Sequence, residues 1–302
     1  MDLKALIDRV DRHTREKGVN NVCAPVRQVV PGLHLFRQDT PTSIDASIYN
    51  PIVCLILQGR KETTVGDRCF GVTAGECVIV SHVLPTMARI THASPTEPYL
   101  AVVFPLDLAE LRSIDREIGA SPTAEHAHAY AVSSVDDALL DVVSRYTALL
   151  DDPADIPVLA PLARRELHYR LLTATNGTML RSLLKRDSHA SCISLAIEHL
   201  RRHFRQSVEI PMLARDVGMS ASSFHKHFKQ ITATTPLQFQ KDLRLTEAKR
   251  LLLTGDYSVS TAAFEVGYES TTQFSREYSR KYGAPPSAHL RVFDAVASAE
   301  VA

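Results

Sequence analysis

The apolar positions of this chain change period near residue 105. Before it they fall in short runs rich in Val, Ile, Thr and aromatics: Gly32 to Arg37, Tyr49 to Gln58, Glu62 to Val65, Arg68 to Val72, Cys77 to His82, Thr86 to His92 and Tyr99 to Phe104. Turn residues separate the runs, and such segments predict strands. Val65-Gly66-Asp67-Arg68 predicts a hairpin, because Gly-Asp suits a two-residue primed turn. Strands at this spacing predict an antiparallel barrel or jelly roll. After Pro105 the period lengthens: Leu106, Leu108, Leu111, Ile114 and Ile118 mark a helix, and Val135 to Leu150 and Leu159 to Thr173 carry apolar residues three and four apart. From Ser191 the pattern stays helical to near the end, with Ile193, Ile197, Leu200 and Phe204 on one stripe. The chain therefore reads as α+β, strands first and helices after.

Within the helical part a pattern repeats. Residues 214–236 read ARDVGMSASSFHKHFKQITATTP and residues 263–286 read AFEVGYESTTQFSREYSRKYGAPP. Each has Val-Gly after an apolar helical stretch, then polar residues, an aromatic (Phe224, Phe274), a second aromatic four later (Phe228, Tyr278) and a proline. The offset is 49 residues before the turn and 50 after it, so the second copy carries one extra turn residue. Gly supplies the positive φ of a tight turn, and Ser220 or Ser270 can cap the helix that follows. This is the grammar of a helix-turn-helix, whose second helix enters the DNA major groove. The spacing predicts first-unit helices over 211–217 and 221–231, and second-unit helices over 259–266 and 271–282. A connecting helix over 236–253 would be about 27 Å long, and a closing helix over 286–292 starts on proline.

Charge supports a division near residue 189. The 302 residues hold 34 basic and 34 acidic side chains, but residues 189–302 hold 14 Lys+Arg against 11 Asp+Glu, leaving 20 against 23 before them. A mildly basic segment after a mildly acidic one suits a DNA reader joined to another module. The balance is small, so affinity is expected to rest on placed contacts. MDLKALIDRVDRHTREKG is charged and helical without the apolar core of a signal peptide. Ile52 to Leu57 is too short to span a membrane. Five Cys without paired spacing point to a reducing cytoplasm.

Three stretches carry a family resemblance: RLTEAKRLLL at 244–253, VGYES at 266–270 and FSREYSRKYGAPP at 274–286. With them, residues 193–291 resemble the DNA-binding domain of the AraC/XylS transcription regulators, in which a long helix joins two helix-turn-helix units. YNPIVCLILQGRKETTVGDR at 49–68, AGE at 74–76 and PYLAVVFPLDLAEL at 98–111 resemble the cupin-like sensor half of one branch of that family. The resemblance implies a cupin-like antiparallel β-barrel with helices over 1–188 and an all-α double helix-turn-helix domain over 189–302. It implies base-facing positions at Ser222, His225 and Lys226 in the first unit, and at Thr271, Thr272, Gln273 and Arg276 in the second. Lys229, Arg244 and Arg280 are the matching phosphate contacts, which set register without reading sequence. The chemistry agrees: Arg or Lys bonds guanine, Gln bonds adenine, and Thr touches the thymine methyl. It further implies promoter DNA, RNA polymerase, a small organic effector and a second copy of the chain as partners, with helices 135–150 and 158–174 as the dimer surface and activation as the more frequent outcome.

The N-terminal half raises two other readings. Cupin enzymes hold a metal through converging His and carboxylate ligands. Here His82, His92 and Glu76 are available, but no His-x-His lies on a strand, and the pair His126 and His128 falls between helices. No metal and no cofactor are therefore expected. Alternatively, Cys54, Cys69 or Cys77 is modified by an electrophile; this needs a thiolate favoured by nearby positive charge and access. Tyr49, Cys54, Cys77, His82 and Met87 are the residues expected to line the effector pocket.

Overall fold

The computed structural model describes residues 3–16, 30–119 and 128–290. Nine strands and the helices around them form the first part: α1 (Leu3–Glu16), β1 (His34–Gln38), β2 (Asp45–Tyr49), β3 (Ile52–Gln58), β4 (Arg60–Val65), β5 (Arg68–Thr73), β6 (Glu76–Val80), β7 (Leu84–His92), β8 (Tyr99–Pro105), α2 (Leu108–Ile118), β9 (Tyr130–Ser134), α3 (Asp137–Ala148), α4 (Ile156–Thr173) and α5 (Gly177–Leu184). A five-stranded sheet has the order β1-β8-β3-β6-β9, and a four-stranded sheet the order β2-β7-β4-β5. All described pairings are antiparallel.

The pleat explains the two-sided burial of β3. Val53, Leu55 and Leu57 join the core under α1, α3 and α4, whereas Cys54 and Ile56 face the second sheet with Val65, Val72, Leu84 and Ile90. Side chains alternate between faces along a strand, so a central strand covered on both sides reads as one continuous apolar run. The expected strand from Tyr49 to Gln58 is in fact two strands that belong to different sheets. Pro51 sits at the break, where it can donate no ladder bond. Outside the first sheet, His168 Nδ1 donates to Glu110 Oε2 over 2.7 Å and holds α4 against α2.

Helices make up the rest: α6 (His189–His203), α7 (Ile210–Asp216), α8 (Ala221–Thr232), α9 (Pro236–Leu253), α10 (Val259–Glu265) and α11 (Thr271–Tyr282). Residues 286–290 are helical too; positions 291 and 292 of the expected closing helix lie outside the described residues. The expected link at Arg186-Asp187-Ser188 is a tight corner in which Asp187 has φ +59 and Ser188 caps α6. No helix among the described residues is long and apolar enough to cross a membrane.

Candidate nucleic-acid interface

Both helix-turn-helix units are built from local rules. Gly218 and Gly267 take φ +75 and +88 at the turns. Ser220 Oγ accepts from Ser223 N and Ser270 Oγ accepts from Gln273 N, each over 3.3 Å, which fixes the starts of α8 and α11. Phe224 and Phe228 are buried with Phe239, and Phe274 and Tyr278 with Tyr268. The opposite faces are solvated. Ser222, His225, Lys226 and Lys229 are exposed on α8, as are Thr272, Gln273, Arg276 and Arg280 on α11, with Thr271 half-buried.

α9 touches both units: its Phe239 packs edge-on against Phe228 of the first, and its polar side chains bond to α11 of the second. Lys241 Nζ donates to Glu277 Oε1 over 2.8 Å, and Lys281 Nζ to Asp242 Oδ1 over 2.6 Å. Burial would raise the Glu277 carboxyl, but bonds from Lys241, Tyr268 and Gln273 outweigh it and hold it below the usual range. Glu277 is thus an ionised anchor at which α9, the second turn and α11 meet. Sequence reasoning missed it; a charged residue one position before the core Tyr278 was its signal.

The expected phosphate contacts divide. Arg244 is half-buried and bonded to backbone: its Nε donates to Phe204 O over 2.6 Å and its Nη2 to Arg205 O and Gln206 O. It satisfies carbonyls at the end of α6 and stacks on Tyr268, 5.8 Å from the ring centre. Lys229 and Arg280 stand on a cleft of about 620 Å³ between the DNA-binding helices and the sensor sheet, opposite Thr64, Asp67 and Met87.

The expected effector residues divide as well. Tyr49 and Cys54 come together on the inner face, where Lys61 Nζ donates to Tyr49 Oη over 2.5 Å and Tyr99 and Tyr130 are buried close by. Cys77 does not join them: it pairs with Leu55, shares that residue's outer face and contacts Ser133 Oγ at 3.3 Å. Met87 lines the cleft instead. His82 reaches out of the sensor domain; its Nδ1 accepts from Ser81 Oγ over 2.8 Å and its Nε2 donates to Ala190 O over 2.9 Å. Burial lowers its pKa to about 4.

The electrophile reading needs a thiolate. Burial instead raises the Cys54 thiol to about 11 and the Cys77 thiol in the same direction, while Cys69 is exposed. Among the described residues, no three of His, Cys, Asp and Glu converge as a metal ligand set; His126 lies outside them.

With this geometry in place, comparison with known proteins is informative. Residues 29–179 match the family described as the AraC-type transcriptional regulator N-terminus, and residues 213–291 match a helix-turn-helix domain family. The HTH-type transcriptional regulator ExsA of Pseudomonas aeruginosa is 29% identical over 133 residues, covering 43% of this chain and 47% of ExsA. The HTH-type transcriptional activator RhaS of Escherichia fergusonii is 29% identical over 154 residues, covering 50% and 54%. The chain thus spans about half the length of the curated relatives it matches. Its fold is shared by ToxT of Vibrio cholerae: at 11% identity the TM-score is 0.52, over 85% of this chain and 96% of ToxT. Because the N-terminal match alone covers half of the 302 residues and the helix-turn-helix match follows it, the chain belongs to the AraC family of transcriptional regulators.

Proposed function

We propose that this chain is a sequence-specific DNA-binding transcription regulator whose N-terminal sheets sense a small organic effector. One observation carries the reading: two Ser-capped helices, α8 and α11, expose polar faces over aromatic cores and are held by α9 as one body. Each enters the major groove in successive turns on one side of the duplex, about 34 Å apart. Lys226 and Arg276 are suited to guanine and Gln273 to adenine, while Lys229 and Arg280 touch backbone.

The effector site lies between the two sheets, at Tyr49 and Cys54. ToxT, of the same fold, has been crystallised with an unsaturated fatty acid, so organic acids are the first class to screen. A second copy of the chain docks on α4, which exposes Val158, Leu159, Leu162 and Tyr169. Activation through RNA polymerase in the cytoplasm accords with the activator RhaS among its relatives. Selection of bound sequences from a random DNA pool by the full chain is the test. A two-part motif recovered and lost in Arg276→Ala supports the reading; recovery of no motif overturns it.

A further inference from the structure

The C-terminal ends of the two recognition helices are finished differently. A helix leaves its last carbonyls without intrahelical partners, and a left-handed residue, usually Gly, is the common way to close it. α11 closes itself: Gly283 takes φ +69 and its N–H returns to Ser279 O over 2.8 Å. α8 ends on Ala233 at φ +58, a conformation that a Cβ disfavours.

Within α8, Thr232 Oγ1 donates back to Phe228 O over 2.7 Å, but the donors to the last two carbonyls before it, those of Gln230 and Ile231, come from the sensor domain. Ala129 N donates to Ile231 O over 2.9 Å, and His128 Nδ1 donates to Gln230 O over 2.9 Å. Arg68 Nη1 on β5 lies against the same imidazole, 3.3 Å from each ring nitrogen. At the hairpin tip the backbone of Gly66 presses on the same place: a Cβ there would stand 2.0 Å from Ala233 O. These residues are tied to the five-stranded sheet, because Ser81 N donates to Ala129 O and the next residue, Tyr130, pairs with Val80.

We infer that the sensor domain supplies the C-terminal cap of the first recognition helix. The order of α8 then depends on where the sensor domain sits, whereas the self-capped α11 does not. Resting on the DNA-binding reading above, the inference makes the DNA segment read by the first unit the one under effector control.

The test is hydrogen–deuterium exchange on the full chain, comparing wild type with Ala129→Pro, which removes the donor, and His128→Ala, which removes the exposed one. Exchange in the last turn of α8 is expected to rise by about tenfold, the amount one lost hydrogen bond is worth, with α11 unchanged. Ala233→Gly, added to either variant, gives α8 the closing residue that α11 has and is expected to restore protection. Unchanged exchange in both variants, equal acceleration in α11, or no rescue by Ala233→Gly would each overturn the inference. In mobility shifts, binding to the segment read by the first unit is expected to weaken by about the same factor. A chain that binds no DNA in any form would remove the DNA reading, while the exchange result still decides the cap.

Discussion

The first helix-turn-helix unit shares a core with the sensor domain, while the second closes around its own. Phe224, Phe228, Ile231 and Phe239 belong to one buried cluster with Cys54, Val80 and Tyr130 of the sheets. Tyr268, Phe274 and Tyr278 belong to a separate small cluster with Leu245, Leu251 and Val266. Two segments so alike in sequence have thus been given different neighbours. A repeat fixes the shape of a unit; the surface it is pressed against fixes how independently it behaves. Buried apolar contacts run from the sheets into the first unit, whereas the second unit's side of α9 meets them through the Lys249–Asp45 ion pair.

The comparison breaks most readily at its aromatic cores. Phe228→Ala is expected to cost about 4 kcal/mol and to lower the melting of sensor and first unit together. Phe274→Ala should cost a similar amount but leave exchange in the sensor strands at its wild-type rate. If both variants loosen the sheets equally, the two cores are not separate.

Acid acts on the boundary next. The folded pKa of His82, about 4, lies below its ordinary value of 6.5. Its neutral form is therefore the one the fold keeps. The associated stability is complete above pH 6.5 and is lost as pH falls toward 4, by up to about 3 kcal/mol. His82→Gln retains a donor for Ala190 O and should flatten that part of the profile. A profile with the same slope in the variant would remove His82 as its source.

The turns give a smaller contrast. A Cβ on Gly267 would lie 2.0 Å from Arg205 O, whereas one on Gly218 meets nothing within 4 Å. Gly267→Ala should cost about 2–3 kcal/mol and Gly218→Ala about 1 kcal/mol, the latter from left-handed strain alone. Equal melting temperatures would show that the second turn has room to move. Smallest and most specific is Arg276→Ala, expected to lose about 1–3 kcal/mol on its own operator and to relax preference at one base. Equal weakening on random DNA would reduce Arg276 to a phosphate contact.

What the sequence made legible follows from the range of the forces involved. Gly218, Gly267, Ser220 and Ser270 act within four residues of themselves, so both units and the start of each recognition helix could be read directly. The strands were legible where Val and Ile alternate. β9 was not, since YAVSS has little signal of its own and is held by pairing with β6, fifty or more residues earlier. The contacts of His82, Cys77 and Arg244 were not legible for the same reason. His82 finds Ala190 across 108 residues, Cys77 is turned outward by the register of β6 on β3, and Arg244 finds its carbonyls about forty residues back.

The helix α9 is also a phase-setting device. Each residue of an α-helix turns the chain by about 100° and advances it 1.5 Å. Inserting one residue near its middle would swing the second recognition surface to another side of the duplex while leaving its chemistry intact. Two good half-contacts would then compete instead of cooperating. Seven added residues nearly restore the orientation but lengthen the span by about 10 Å, roughly three base pairs. On the DNA reading proposed above, the 18 residues of α9 encode operator spacing as a length, and a matched pair of insertions, one in the helix and one in the DNA, would read it out.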